Sequence, residues 1–310
     1  MPKFLLTERR NPRTGGLDGK STRELLRVLS HEDKRVPAAV ARTIPSMARA
    51  VDRLVHGWQR GGRLIYVGAG TSGRLGALDA AECPPTFGIP AGRVRAVLAG
   101  GRRALDRAVE GAEDSAPGGA TDLGKLRVKR EDVVVGLTAS GSTPYVAGAL
   151  DHARRRGATT ILITTNPRPS IRNLADIAII ADVGPEAVAG STRLKSGTAQ
   201  KLLLNMLTTA AMARLGRVYD NQMVYVALSN RKLRERGVRL LAESAGIDPT
   251  QARQALARAG QNLPVALVML KAKVGKTEAQ RRLRAAKGHV RQAIETGAKR
   301  EEGLRGKIPD

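Results

Sequence analysis

Five short runs rich in Val, Ile and Leu recur between residues 64 and 181, and helical stretches separate them. The runs are Leu64–Val67, Arg95–Ala99, Asp132–Leu137, Thr160–Thr164 and Ile177–Ala181. Helices are predicted around Thr71–Ala81, Ala104–Glu113, Pro144–Arg155 and Pro169–Leu174. Strands buried on both faces read as continuous apolar runs. Strands alternating with helices predict a parallel sheet covered by those helices, an α/β domain.

The flanks read differently. Residues 1–20 are polar, hold Asn11-Pro12 and Gly15-Gly16, and predict an irregular arm. Ser21-Thr22-Arg23-Glu24 has the form of a capping box. Val40, Ile44, Met47, Val51 and Leu54 then recur at spacings of three and four, which predicts one helix from Pro37 to Trp58. After the last strand a long helix is expected over about Lys195–Leu215. The final third carries no strand signal. Asp248-Pro249 starts a helix over Gln251–Ala259, Asn262 and Pro264 start a second through Lys271, and Thr277–Ile294 reads as a third. These helices are loosely similar to a ubiquitin-associated bundle, with packing as the role. The expected organisation is an arm with helices over 1–58, the α/β domain over 59–226, the bundle over 227–297 and a frayed tail over 298–310.

Net charge narrows the partners. Fifty-three Lys and Arg against 28 Asp and Glu give +25. Such a field favours phosphorylated small molecules and polyanions. The basic residues are scattered, and aromatic residues make up only 2%, too few for base-stacking platforms. A specific nucleic-acid role is therefore not expected. No run approaches the roughly 20 apolar residues of a membrane span. A single cysteine excludes an internal disulfide, and a cytoplasmic location is expected.

Three segments suit an anion. Gly68-Ala69-Gly70-Thr71-Ser72-Gly73 follows the first strand and fits G-x-G-x-x-G. Its glycines let backbone approach a phosphate, and the helix after it aims free N–H groups at the anion. A dinucleotide site would also need an acid at the end of the second strand, which instead ends Ala99-Gly100-Gly101. Thr138-Ala139-Ser140-Gly141-Ser142-Thr143-Pro144 follows the third strand in the same way. Gly190-Ser191-Thr192-Arg193-Leu194-Lys195-Ser196-Gly197-Thr198-Ala199-Gln200-Lys201 puts hydroxyls and cations at the start of the long helix. The candidate substrate-binding residues are Gly70, Thr71, Ser72, Ser140, Ser142, Thr143, Ser191, Thr192, Arg193 and Lys195, with Glu186 upstream of them. Ser72, Ser140 and Ser191 are the candidates for holding a phosphate. Two acidic segments, Asp79–Pro85 and Glu110–Ser115, are expected to end the first two helices of the α/β domain. Carboxylates beside a phosphate crevice are candidates for acid–base work.

Together Gly-Ala-Gly-Thr-Ser-Gly-Arg-Leu-Gly (68–76), Glu-Cys-Pro-Pro-Thr-Phe-Gly (82–88), Glu-Gly-Ala-Glu-Asp-Ser (110–115) and Gly-Thr-Ala-Gln-Lys (197–201) resemble the N-acetylmuramic acid 6-phosphate etherases. These are sugar-isomerase (SIS) fold enzymes related to the glucokinase regulatory protein. The likeness runs from Thr7-Glu8 and Asn11-Pro12-Arg13-Thr14 to about Gly297. It implies elimination of D-lactate from a ring-opened sugar phosphate, addition of water, and N-acetylglucosamine 6-phosphate as product. It implies Glu82 as acid and Glu113 as base, a homodimer, and no metal or redox cofactor. One cysteine and four scattered histidines form no metal-ligand pattern. Two positions depart from the family: Ser142 stands where an Arg is usual, and Leu194 where a Met is usual. Losing that Arg puts affinity for an anionic part of the substrate in question.

Two other activities fit a SIS fold. A non-catalytic sugar-phosphate sensor needs no acid–base pair, and residues 21–58 show no helix-turn-helix that would join one to DNA. An aldose–ketose isomerase would use a base at C2 but no lactate-protonating acid. The Glu82 segment, by resemblance, favours the etherase.

Overall fold

The computed structural model describes residues 6–228 and 230–296. The tail expected over 298–310 lies outside the described residues. The arm carries single 3₁₀ turns at Leu6–Glu8, Pro12–Thr14 and Leu17–Gly19. Helix α1 spans Thr22–Asp33, α2 Arg35–Ala41 and α3 Ile44–Gln59. The capping box of α1 forms: the Ser21 hydroxyl accepts from the Glu24 N–H, and the Glu24 carboxylate accepts from the Ser21 N–H at 3.0 Å. The single helix expected over Pro37–Trp58 breaks at Arg42-Thr43. Pro45 offers no N–H to the carbonyl four residues back, and its ring would clash there. The helix therefore restarts with Pro45 in its first turn. Thr43 bonds back to the Val40 carbonyl through its N–H at 2.9 Å and its hydroxyl at 2.7 Å.

Five parallel strands follow: β1 Leu64–Gly68, β2 Val94–Leu98, β3 Val133–Leu137, β4 Thr159–Thr164 and β5 Ile177–Ile180. Their order is β2-β1-β3-β4-β5. All five residues of β1 and of β3 are buried, as two-sided cover requires. Helix α4 spans Gly70–Phe87, α5 Ala116–Gly124, α6 Pro144–Arg155 and α7 Lys195–Arg214. The chain leaves β1 toward one edge of the sheet and β3 toward the other. In such a sheet the loops after the two central strands open on a crevice at the strands' carboxyl ends.

Several expected helices change. That over Ala104–Glu113 does not form. The segment holds 3₁₀ turns at Gly101–Leu105 and Ala112–Asp114, and α5 starts after it with Ser115 as its cap. Glu113 thus precedes a helix instead of ending one. Helix α4 does not stop near Ala81 but continues through Pro84 and Pro85. The stretch Pro169–Leu174 keeps only a 3₁₀ turn at Arg172–Leu174.

The last helices are α8 Arg231–Ala245, α9 Pro249–Arg258, α10 Leu263–Lys271, α11 Lys276–Ala285 and α12 Val290–Glu295. The Asp248 carboxylate caps α9 by accepting from the N–H groups of Thr250 and Gln251. The helix expected over Thr277–Ile294 is two helices, parted where Lys287 and Gly288 take positive φ of 51° and 85°. Leu241, Leu256, Leu267, Val268 and Val290 form their shared core.

Contacts group the described residues into two units, one within 1–82 and 91–209 and one within 83–90 and from Ala210 onward. The N-terminal helices therefore group with the sheet. Helix α3 lies so close to the turn before β3 that a Cβ at Gly57 would stand 2.5 Å from the Glu131 carbonyl oxygen. Among the described residues no helix is long and apolar enough to cross a membrane.

Candidate functional site

A cavity of about 390 Å³ opens at the carboxyl ends of β1 and β3, within the sheet unit. The first loop supplies Ala69, Gly70, Thr71 and Ser72 to its wall. The strand end and the helix start touch directly here: a Cβ at Gly68 would stand 2.8 Å from the Gly73 Cα. Only glycine at both positions lets α4 begin this close to β1. The first-turn N–H groups of α4 are then left without helical acceptors beside the cavity.

The second loop supplies Thr138, Ala139, Ser140, Ser142, Thr143 and Pro144. Its hydroxyls form one network. Thr138 Oγ1 lies 2.8 Å from Thr143 Oγ1 and 3.2 Å from Ser140 Oγ, and the Ser142 hydroxyl donates to Ser140 Oγ at 3.0 Å. The loop's carbonyls are engaged elsewhere. That of Ala139 accepts from the Thr164 and Thr165 hydroxyls, and that of Ser140 from the Asn166 amide at 2.6 Å. The Gly141 and Ser142 N–H groups donate to the Thr138 and Ser140 hydroxyl oxygens, so an anion would meet the hydroxyl cluster and the start of α6, which begins at Pro144.

Glu113 and Asp114 enter the cavity wall from the 3₁₀ turn before α5. The turn is held from both sides. Ser115 caps α5 by accepting from the Gly118 N–H at 3.0 Å. The Arg74 guanidinium donates to the carbonyls of Ala104, Leu105 and Arg107, fixing the segment that leads to it.

The arm closes another side with Thr7 and Glu8, beside Gly190, and Thr192 also lines the wall. The Gly190 N–H donates to the Thr7 carbonyl at 2.7 Å, and the Thr14 hydroxyl donates to the Ala187 carbonyl at 2.8 Å. Beneath the arm lies a buried carboxylate, Glu32, only 1% exposed. It accepts from the Arg13 guanidinium at 2.5 Å, the Lys195 ammonium at 2.6 Å and the Asn11 amide at 2.7 Å. The Arg13 hydrogen bond leads, with Lys195 and Asn11 adding to it. Together they outweigh burial and hold the Glu32 carboxyl down at about 2.

Several expected residues are not brought to this cavity. Lys195 is fully buried, and its ammonium is spent on Glu32. Glu186 is also buried and accepts from the N–H groups of Lys195 at 3.0 Å and Ser196 at 2.8 Å, so it caps α7. Ser191 and Arg193 flank Thr192 but do not line the wall. Glu82 lies on α4, 58% exposed, with its carboxylate 3.3 Å from the Lys201 ammonium. Gly70, Thr71, Ser72, Glu113, Ser140, Ser142, Thr143 and Thr192 do meet in one cavity.

A family profile for the glucokinase regulatory protein N-terminal SIS domain matches residues 46–154, and a SIS domain profile matches 113–210. An N-acetylmuramic acid 6-phosphate etherase of Rubrobacter xylanophilus is 52% identical over 293 residues, covering 94% of this chain and 97% of that protein. Another, of Pectobacterium atrosepticum, is 51% identical over 290 residues, covering 94% and 96%. The chain belongs to the N-acetylmuramic acid 6-phosphate etherase family. Among solved structures, a phosphoheptose isomerase from Francisella tularensis is 13% identical with a TM-score of 0.47, covering 63% of this chain and all of that one.

In this member of the etherase family the sheet unit is a SIS domain. Its cavity wall carries charge of one sign. The wall holds the carboxylates of Glu8, Glu113 and Asp114 but, among the described residues, no Lys or Arg. An anion here would rest on neutral hydroxyls and helix N-termini. Among the described residues no group of three or more His, Cys, Asp or Glu is placed to hold a metal ion. The wall also holds Asp114, Thr138 and Gly190, which lie in the segments singled out above without being candidates themselves, and Thr7 and Glu8, which no segment pattern marked. Thr7-Glu8 did mark where the etherase likeness starts, the one signal available for the arm.

Proposed function

We propose that the chain cleaves the D-lactyl ether of N-acetylmuramic acid 6-phosphate, giving N-acetylglucosamine 6-phosphate and D-lactate. The observation that carries this reading is Glu113 in the same cavity as two hydroxyl loops at helix N-termini, in a chain of the etherase family. The phosphate is taken by Ser72 and the Ser140–Thr143 loop. Ring opening gives an aldehyde that acidifies the C2 proton. Glu113 removes that proton, its electron pair forms the C2–C3 double bond, and the C3–oxygen bond breaks. The leaving oxygen takes a proton and departs as lactate. Water then adds its hydroxyl to C3 and a proton to C2.

The proton donor is assigned to Glu82 on the family resemblance of its Glu-Cys-Pro-Pro segment. Glu82 stands outside its own cavity. The assignment therefore goes with a homodimer in which the partner copy brings its Glu82 to the site.

The test is incubation of the purified protein with N-acetylmuramic acid 6-phosphate and an assay for D-lactate. Stoichiometric lactate supports the reading. Conversion to a ketose phosphate without lactate supports the isomerase, and tight binding without turnover supports a sensor.

A further inference from the structure

Glu8 stands in the cavity wall with no assigned role. Its position is built. The Gly190 N–H fixes the preceding carbonyl at 2.7 Å, and Thr7 is 6% exposed. The Thr7 hydroxyl donates to Glu8 Oε1 at 3.2 Å. Three residues further on, Asn11 begins the anchorage to buried Glu32, which Arg13 and Lys195 complete. Space is kept for the other oxygen: a Cβ at Gly190 would stand 3.3 Å from Glu8 Oε2. No ion pair joins Glu8 to a described residue, so its acceptor capacity is not spent on a surface cation.

The chemistry of the wall divides the cavity. Phosphate oxygens need donors, and the Ser72 loop, the Ser140–Thr143 loop and the starts of α4 and α6 supply them. A carboxylate repels a phosphate but accepts strongly from hydroxyl groups. We propose that Glu8 is a substrate-contacting, specificity-determining residue that accepts hydrogen bonds from the hydroxyls of the sugar while the two loops hold its phosphate. This rests on the function proposed above for the same cavity.

Glu8→Gln keeps the size of the side chain and removes its charge. Three constants separate the outcomes: KM for N-acetylmuramic acid 6-phosphate, inhibition by N-acetylglucosamine 6-phosphate, and inhibition by inorganic phosphate. A hydrogen bond to a charged group is lost, so the first two should weaken by about tenfold or more. Inhibition by phosphate should stay unchanged or tighten, and the melting midpoint should not move. Unchanged sugar constants would overturn the proposal. So would a phosphate constant that weakens in step with the sugar, or a fall in kcat alone. If the unsubstituted protein releases no lactate, the etherase reading fails by itself. Calorimetric titration with the sugar phosphate and with inorganic phosphate then still decides the role of Glu8.

Discussion

Glu113 and Glu82 act on different bonds in the proposed reaction, so single substitutions should divide it. Glu113→Ala should lose both lactate release and exchange of the C2 hydrogen with solvent deuterium. Glu82→Ala should lose lactate release and keep the exchange. Each loss should be about 10²–10⁴-fold, read by coupled lactate assay and by NMR of the sugar. Normal exchange in Glu113→Ala would reverse the assignment. Ser140 accepts from the Ser142 hydroxyl and N–H inside the second loop. Ser140→Ala should raise KM for the phosphorylated sugar and narrow the preference over the unphosphorylated one. At this scale the sequence spoke through local pattern. Ser72 and Ser140 were legible because a short hydroxyl-rich loop between strand and helix implies its own geometry. Lys195 was not. A cation beside hydroxyls reads as an anion ligand, and nothing local reveals that its partner is Glu32, distant in the chain. Glu186 misleads in the same way, because a cap contributed by an upstream loop leaves no fixed spacing.

Helices α5 and α6 pack with backbone against backbone. A Cβ at Gly148 would overlap the Ala116 carbonyl oxygen, and one at Gly119 would overlap that of Tyr145. Since α5 begins just after Glu113, the contact sets how far that carboxylate stands from the second loop. Gly148→Ala should cost about 1–3 kcal/mol in chemical denaturation, and lactate release should fall further than lost stability explains. Glu32 links the arm, α1 and the start of α7. Glu32→Gln leaves the fully buried Lys195 ammonium without a counter-charge and should destabilise by about 3–5 kcal/mol. The depressed carboxyl carries a pH signature. Its contribution is complete above the ordinary carboxylate value of 4.5 and is lost as pH falls toward about 2. The chemical-denaturation stability of Glu32→Gln should depend less on pH across that window than that of the unsubstituted protein. The five strands were legible because two-sided burial writes itself as apolar runs. The helix over Ala104–Glu113 was misread because its apolar spacing is helical while Gly100, Gly101 and Gly111 take positive φ. Helix α8 went unmarked because Arg231, Lys232, Arg234, Arg236 and Arg239 crowd around the few buried positions, Gly237, Val238 and Leu241.

A charge of +25 spread over the whole chain predicts DNA binding that is indifferent to sequence and falls steeply with salt. A sequence-selective complex surviving physiological salt would revive the sensor reading. The proposed homodimer has a sharper check. Glu82→Ala and Glu113→Ala, each inactive, should on mixing and subunit exchange regain about a quarter of full activity if each site draws one glutamate from each copy. No recovery despite exchange would place both glutamates in one chain. The α/β class was readable from strand-helix alternation, but the grouping of the N-terminal helices with the sheet was not, because close approaches such as that at Gly57 exist only in three dimensions. The arm's hydrogen bonds join residues 7–14 to 185–190. During translation residues 7–14 emerge early, and although Asn11 and Arg13 soon meet Glu32, their partners at 185–190 come only after all five strands. The earliest part of the cavity to leave the ribosome is thus among the last to take its place, and a stalled or shortened chain ending before residue 185 would carry the two hydroxyl-rich loops with one wall missing.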